Sequence, residues 1–209
     1  MNRTAARGDR RGHRELARPE VERLVTAPTL VTFARTAVTL VLALWGAHAD
    51  SLTLLLWALG VYWVGDMADG LLARVLDEET RIGAVLDIMC DRLSAACFYT
   101  GVAWYDPTLV VPVGLYLVEF LVLDMFLSLA FLAWPVSSPN YFYVVDARIW
   151  RWNWSKPAKA LNSALFAVLL VVTRNAWVGT AVVLCLLGLK ATSLGWLMRL
   201  RLPIPAAGR

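Results

Sequence analysis

Six long apolar segments constrain the fold of this 209-residue chain more than any other feature of its sequence. Each is close to the roughly 20 residues that a helix needs to cross a bilayer, and the charged residues are concentrated between them. The chain is 17% charged, whereas a soluble domain carries about a quarter charged residues. The sequence therefore predicts an all-α integral membrane protein with a bundle of six transmembrane helices. The predicted spans are Leu30–His48, Leu52–Leu76, Ile82–Trp104, Thr108–Trp134, Pro157–Thr173 and Trp177–Leu197.

The distribution of Lys and Arg predicts the orientation of this bundle. Most of them lie in the N-terminal tail, the 77–81 turn, the 135–156 loop and the C-terminus, whereas the turns on the other side contain only Arg174. Cytoplasmic loops of membrane proteins are enriched in Lys and Arg. We therefore expect a multi-pass protein of the cell membrane with both termini in the cytoplasm.

The first 23 residues contain seven Arg. Basic tails bind nucleic acid in some proteins, but attraction to anionic lipid is the better interpretation for a membrane-embedded chain. We therefore expect membrane lipids, and no nucleic acid, as partners. The predicted organisation is an Arg-rich cytoplasmic tail over residues 1–25, a six-helix domain over residues 26–200 and a cytoplasmic tail over residues 201–209. The first tail includes a possible amphipathic surface helix at Glu15–Val25, which Pro19 weakens.

The start of the chain also imitates a cleavable signal peptide. It has two Arg at positions 10–11, an apolar run at 38–45 and small residues around positions 47–49. However, its charged region would be over 30 residues long, and Arg35 stands just before the apolar run. We therefore expect no cleavage.

Four acidic residues lie at paired spacings where the second and third segments meet. Asp66 and Asp69 are three residues apart, and Asp87 and Asp91 are four apart, so each pair shares one face of a helix. The short polar stretch 77–81 makes the two helices antiparallel neighbours, which brings the pairs together at the predicted cytoplasmic end. Carboxylates inside a membrane cost several kcal/mol unless they are used, which argues against ordinary helix-end charges. Four oxygen ligands without His or Cys favour Mg²⁺, Mn²⁺ or Ca²⁺ over zinc.

Small residues accompany these acids. Gly70, Ala73 and Gly83 have almost no side chain, so a helix or a ligand can approach the backbone closely. Three arginines nearby offset part of the negative charge, whereas three further acids add to it; these are Arg74, Arg81 and Arg92, and Asp77, Glu78 and Glu79.

The segment GDMADGLLARVLDEETRIGAVLDIMCDR, which contains all these residues, resembles the signature of the CDP-alcohol phosphotransferase family. That signature is D-x2-D-G-x2-A-R-x8-G-x3-D-x3-D, and no position of it is missing. The first apolar segment begins with PTLVTFAR at residues 28–35. This is similar to the P-N-x-x-T-x-x-R start of many members, with Thr29 where Asn is usual.

The resemblance implies a six-helix homodimeric enzyme that transfers the phosphatidyl group of CDP-diacylglycerol to a small alcohol and releases CMP. It implies that Asp66, Asp69, Asp87 and Asp91 hold two divalent metal ions, Mg²⁺ or Mn²⁺, and that Asp91 is also the general base. The CDP-binding residues that it implies are Thr32, Arg35, Asp69, Gly70, Ala73, Arg74 and Gly83.

The sequence around the motif, TRIGAVLDIMCDRLSAACF, is similar to that of phosphatidylinositol synthases, as is Leu123–Met125 in the fourth span. We therefore expect inositol or inositol phosphate as the acceptor, with glycerol 3-phosphate or serine as alternatives. Within the fourth span, Asp124 is a candidate for binding acceptor hydroxyls, and Glu119 is expected to pair with Lys190. A phosphorylated acceptor needs basic donors, and the candidates in the basic loop are Arg148, Arg151, Lys156 and Lys159.

Two other classes of protein also place acids in membranes. A divalent-cation channel or transporter needs them along a pore, whereas these acids lie at one end of two helices. A scaffold protein has no need of paired carboxylates. The pattern therefore favours an enzyme.

Overall fold

Six long helices make up the computed structural model, which describes residues 15–202. The predictions for residues 1–14 and 203–209 lie outside this range. In chain order the helices are α1 (Ala27–His48), α2 (Leu52–Leu76), α3 (Arg81–Tyr105), α4 (Pro107–Ala133), α5 (Ala147–Thr173) and α6 (Ala176–Leu197). Over residues 15–202 the only β-type pairing is an isolated bridge, so the all-α prediction is confirmed.

Five of these helices, all except α3, are long and apolar enough to cross a membrane. Helix α3 is 25 residues long and packs against α1, α2 and α4, so it belongs to the same bundle. Its lower hydropathy reflects the charges of Asp87, Asp91 and Arg92. The predicted all-α bundle of six helices is therefore confirmed, with five candidate spans and α3 as its polar member.

Large apolar side chains cover the outside of the bundle, as expected for a surface in contact with lipid. Trp177 is 85% exposed, and Val172 and Trp104 are each 74% exposed. Inside, one apolar core is built around the stacked rings of Tyr116 and Phe166, whose centroids are 4.3 Å apart. A second core around Phe131, Phe142 and Trp154 lies near the other end of α4. On α4 the buried Asp124 lies between Phe120 of the first core and Leu127 of the second.

Short turns and side-chain caps make consecutive helices antiparallel. Thr80 caps α3 by accepting a hydrogen bond from the N–H of Gly83. Thr26 caps α1 by accepting a hydrogen bond from the N–H of Thr29. Asp77 ends α2 in the left-handed conformation, with φ of 57°. This tight reversal places the C-terminal half of α2 beside the N-terminal half of α3.

Helices α4 and α5 are irregular. Each contains a π-helical stretch, at Glu119–Asp124 and at Ala160–Leu165. Helix α5 begins at Ala147, ten residues before the predicted span, and is interrupted at Trp154 and Ser155. The hydroxyl of Ser155 caps the part that follows, whose first turn contains Pro157. The 135–156 loop of the sequence prediction is therefore partly helical.

The possible amphipathic helix at Glu15–Val25 is not formed. After Glu15 this segment has only a 3-10 turn at Pro19–Val21. It is held instead by backbone and capping bonds: the N–H of Ala17 donates to the carbonyl of Pro135 at 3.0 Å, and Glu22 accepts from the N–H groups of Arg81 and Ile82 at the start of α3.

A tyrosine on the α4–α5 connection adds to this attachment. The hydroxyl of Tyr143 donates to the Glu15 carboxylate at 2.5 Å. This bond to the carboxylate raises the pKa of Tyr143 to about 12. The N-terminal segment therefore crosses the end of the bundle at which α1 and α3 begin.

Candidate active site

The four acidic residues of the motif converge between α2 and α3. Asp66, Asp69 and Asp87 each place a carboxylate oxygen within 4.8 Å of the others, a spacing that allows them to bind one cation together. Asp91 lies one helical turn beyond Asp87 and is joined to the group through Arg35. Asp69 is buried, whereas Asp66 and Asp87 are partly exposed. The structure therefore brings all four predicted metal ligands to one place.

Arg35 lies among these carboxylates. Its Nε donates to Asp69 Oδ2 at 2.6 Å, and its Nη2 donates to Asp87 Oδ1 at 2.6 Å and Asp91 Oδ1 at 2.8 Å. The same Nη2 is 3.9 Å from Asp66 Oδ1. One buried guanidinium thus contacts all four acids. The spacing of the acid motif did not predict this contact, because Arg35 lies on another helix. The family resemblance assigned Arg35 to the CDP site instead.

The acid group fits hard divalent cations. Its donors are all carboxylate oxygens, which is the ligand type that Mg²⁺ and Mn²⁺ prefer. Arg35 supplies one positive charge against four carboxylates. The uncompensated negative charge is the second reason why these residues suit metal ions.

Two neutral residues position Arg35 and Asp69. Thr32, one turn before Arg35 on α1, donates its hydroxyl to Asp69 Oδ2 at 2.8 Å. Gly65 on α2 leaves the space through which the Arg35 side chain passes, because a Cβ at Gly65 would lie 2.7 Å from Arg35 Cβ. Sequence reasoning missed Gly65, and its place directly before Asp66 in an apolar helix was the available signal.

A first cavity, of about 570 Å³, opens beside the acid group where α1 and α3 begin and α2 ends. Its walls include six of the seven residues that the resemblance assigned to CDP, the exception being Arg35. These are Thr32, Asp69, Gly70, Ala73, Arg74 and Gly83. Polar residues of the α4–α5 connection, Ser137, Ser138 and Asn140, complete the wall.

The two glycines of this cavity have different surroundings. The nearest atom to a Cβ at Gly70 would be Arg74 Nη1, at 3.5 Å, so the space above Gly70 is open. A Cβ at Gly83 would lie 2.6 Å from Thr80 Oγ1, the atom that caps α3. Gly83 is therefore needed for the cap, a reason that differs from the close ligand approach expected from sequence.

A family model described as CDP-alcohol phosphatidyltransferase matches residues 25–194, which include α1 to α5 and most of α6. The chain belongs to this family. The resemblance inferred from the motif is therefore confirmed. Membership of an enzyme family supports the enzyme interpretation rather than a channel or a scaffold.

Curated relatives of this chain are named phosphatidylinositol phosphate synthase. The protein from Mycolicibacterium smegmatis is 35% identical over 115 residues, which are 46% of this chain and 48% of the relative. The protein from Mycobacteroides abscessus is 34% identical over 87 residues, 37% of this chain and 36% of the relative. The chain thus spans about half or less of the relatives it matches. No solved structure matches it.

A second cavity, of about 920 Å³, lies on the other side of Asp87. Asp66 and Asp91 also line it, together with residues of α4, α5 and α6. Asp87 lines both cavities, so the acid group stands at their junction. Asp124, an expected acceptor residue, lies in this second cavity.

Three other expected acceptor residues lie elsewhere. Arg148, Arg151 and Lys156 are exposed and line neither cavity, and the Arg148 guanidinium stacks over the ring of Trp196 at 4.3 Å. The early start of α5 turns these residues away from the acid group. Lys159, one turn later, does line the second cavity.

The expected pairing of Glu119 with Lys190 is wrong, because Lys190 pairs with Asp124 instead. Lys190 Nζ lies 2.5 Å from Asp124 Oδ1 and donates to Asn153 Oδ1 at 3.0 Å. Arg92 binds the other oxygen of Asp124. The π-helical stretch of α4 separates Glu119 from Asp124 and places Asp124 between the two bases.

Proposed function

We propose that this chain is an enzyme of phospholipid biosynthesis that transfers the phosphatidyl group of CDP-diacylglycerol to an inositol-type alcohol and releases CMP. The observation that carries the proposal is the junction of two cavities at Asp87. A transferase of this kind has to hold a donor and an acceptor on either side of the transferred phosphorus. Family membership and the name of the curated relatives support the same reaction.

The first cavity would hold the cytidine diphosphate of the donor. Gly70 leaves open space for the ligand, and the guanidinium of Arg74 is a donor for phosphate oxygens. Thr32 and Arg35 keep the Asp69 carboxylate at the wall of this cavity. The pyrophosphate would then lie next to the acid group.

Asp66, Asp69, Asp87 and Asp91 would hold two Mg²⁺ or Mn²⁺ ions. When bound, such ions neutralise the pyrophosphate oxygens and the charge that develops on the transferred phosphoryl group. The contribution of the chain itself is to keep the carboxylates close together: Arg35 donates hydrogen bonds to Asp69, Asp87 and Asp91, and its Nη2 lies 3.9 Å from Asp66 Oδ1.

Asp91 is the proposed general base. It lines the second cavity, where the acceptor would lie, and Arg35 orients one of its oxygens. Asp91 would accept the proton of the acceptor hydroxyl as that oxygen forms a bond to the phosphorus bearing diacylglycerol. The bond from this phosphorus to the bridging oxygen breaks, and CMP leaves with that oxygen.

The test is CMP release by the purified chain in detergent with CDP-diacylglycerol, Mn²⁺ and inositol. CMP should form, EDTA should abolish it, and excess Mn²⁺ should restore it. No CMP with inositol, inositol phosphate, glycerol 3-phosphate or serine would contradict the proposed reaction.

We further propose that the site opens to the cytoplasm and that the chain forms a homodimer. The orientation is supported by the charge at this end of the bundle, where the N-terminal segment, the starts of α3 and α5 and the residues after α6 carry most of the Lys and Arg of the described chain. Protease access to a C-terminal tag in sealed vesicles tests the orientation. The mass of the purified protein, corrected for detergent, tests the dimer.

A further inference from the structure

We propose that the second cavity selects an uncharged polyol over its phosphorylated form, and that Asp124 is the residue responsible. This inference rests on the proposed function and narrows its acceptor. The relatives are named phosphatidylinositol phosphate synthase, a name that includes a phosphorylated inositol, whereas the acceptor proposed here is uncharged.

The two buried basic residues of the cavity, Arg92 and Lys190, both form ion pairs with Asp124. Arg92 donates to Asp124 Oδ2 and to Ser128 Oγ, the latter at 3.1 Å. Lys190 approaches Asp124 Oδ1 at 2.5 Å and donates to Asn153 Oδ1 at 3.0 Å. Arg92, Asp124 and Lys190 are each at most 9% exposed. The inner end of the cavity is therefore an ion-pair network in which both of these bases already have a carboxylate partner.

The charges that line the cavity give no positive excess. Three bases line it, and five acids do so. The bases are Arg92, Lys159 and Lys190, and the acids are Asp66, Asp87, Asp91, Glu119 and Asp124. A phosphate monoester would add about 1.5 to 2 negative charges at neutral pH. Metal ions bound to the four aspartates of the motif would be coordinated by those aspartates and by the donor pyrophosphate. They would therefore not compensate the negative charges of Glu119 and Asp124.

The remaining base, Lys159, is at the exposed side of the cavity. Its Nζ donates to Asn140 Oδ1 at 2.6 Å. One solvated ammonium is a weak site for a phosphate, which is usually bound by several charge-assisted donors. Phosphate recognition would need a cluster of such donors, and Arg148, Arg151 and Lys156 lie outside the cavity.

The same cavity suits hydroxyl groups, which both donate and accept. Arg92 Nε is buried and has no hydrogen-bond partner within the described chain, so it is available to a hydroxyl oxygen. The carboxylates of Glu119 and Asp124 can accept from hydroxyls. Asn162 and Ser163 add an amide and a hydroxyl from α5. Both π-helical stretches therefore contribute residues to the wall of the cavity. Such stretches are often found at functional sites.

Acceptor competition with the wild-type chain tests the inference without any variant. CMP release is measured with inositol and glycerol, and with inositol 1-phosphate and glycerol 3-phosphate, at fixed CDP-diacylglycerol and Mn²⁺. We expect kcat/KM for an uncharged alcohol to exceed that for its phosphate by about tenfold or more, equivalent to about 1.4 kcal/mol. Equal values, or a preference for the phosphates, would overturn the inference and leave the proposed reaction standing.

The variant Asp124→Asn tests the residue. It keeps the shape and removes the charge, which leaves Arg92 and Lys190 without their carboxylate. We expect the KM for inositol to rise about fivefold or more and the discrimination against inositol 1-phosphate to fall. Asp50→Asn, the same change at an exposed turn of the opposite end, should leave the ratio as in the wild type. A parallel loss with both acceptors would assign Asp124 a structural role only.

Ligand-induced stabilisation separates the inference from the proposed function. If no acceptor supports CMP release, the proposed reaction fails, but thermal unfolding in detergent with inositol or inositol 1-phosphate still reports binding. A rise in Tm with inositol that exceeds the rise with the phosphate supports the cavity assignment. A rise with the phosphate alone, or with neither, overturns it.

Discussion

The Arg35 side chain crosses α2 directly over Gly65: a Cβ on Gly65 would lie 2.5 Å from Arg35 Cδ. No side chain fits at this contact. The guanidinium beyond it reaches Asp69, Asp87 and Asp91, so the glycine determines whether α1 can contribute a cation to the acid group.

Gly65→Ala should therefore displace Arg35 and destabilise the protein. Overpacking of this kind typically costs about 1–3 kcal/mol, and the acids would lose their counter-charge in addition. Thermal unfolding in EDTA measures the effect. Gly60→Ala on the same helix is the control, since no atom lies within 4 Å of its added Cβ. Equal Tm values for the two variants would contradict the interpretation.

Arg35→Gln should make stability depend more strongly on metal. Removing one partner from a buried ionic network typically costs about 3–5 kcal/mol. Bound ions should offset much of that loss, because they replace the missing positive charge. The measurement is the increase in Tm when Mn²⁺ replaces EDTA, which should be larger for the variant than for the wild type. The same increase in both proteins would show that Arg35 does not serve as a counter-ion.

Asp91→Asn should lose turnover and retain donor binding. A general base typically contributes about 10²- to 10⁴-fold to the rate. The amide cannot accept the proton, but it preserves the side-chain size and an oxygen for Arg35. CMP release gives the rate, and stabilisation by CDP-diacylglycerol reports donor binding. Unchanged turnover would remove Asp91 from the role of base.

The two glycines of the first cavity should respond differently to the same substitution. Gly70→Ala meets no atom closer than 3.5 Å, so it should fold like the wild type and raise the KM for CDP-diacylglycerol by occupying ligand space. A tenfold rise would correspond to about 1.4 kcal/mol. Tm and KM are measured for each variant.

Gly83→Ala is the contrasting change. Its Cβ would contact Thr80 Oγ1 at 2.6 Å and disturb the cap of α3, which is typically worth about 1 kcal/mol. Its main effect should be on Tm. The reverse pattern, with Gly70→Ala unstable and Gly83→Ala impaired only in donor binding, would show that the roles are exchanged.

Glu22→Ala should lower stability, because Glu22 accepts from two N–H groups at the start of α3 and its charge favours a helix N-terminus. The expected cost is about 1 kcal/mol. Glu20→Ala, an exposed acid of the same segment, is the matched control and should change Tm little. Equal effects would mean that the segment acts through its charge alone.

The spans and the acid motif were predictable because both depend on local pattern. The length and apolarity of a segment determine whether it can cross a bilayer. Spacings of three and four residues place Asp66 with Asp69, and Asp87 with Asp91, on common helix faces. The short polar turn then makes α2 and α3 neighbours. Family membership followed from the same motif.

Helix packing decided the rest. Arg35 is 34 residues before Asp69 and 56 before Asp91 in the chain, and nothing in their spacing brings them together. The pairing of Lys190 with Asp124 likewise depends on how α4 and α6 meet and on the π-helical stretch of α4. Sequence periodicity determines which residues share the face of one helix. Which faces of different helices meet is decided by the fit of side chains across the bundle, where a glycine at position 65 admits an arginine that any larger residue would exclude.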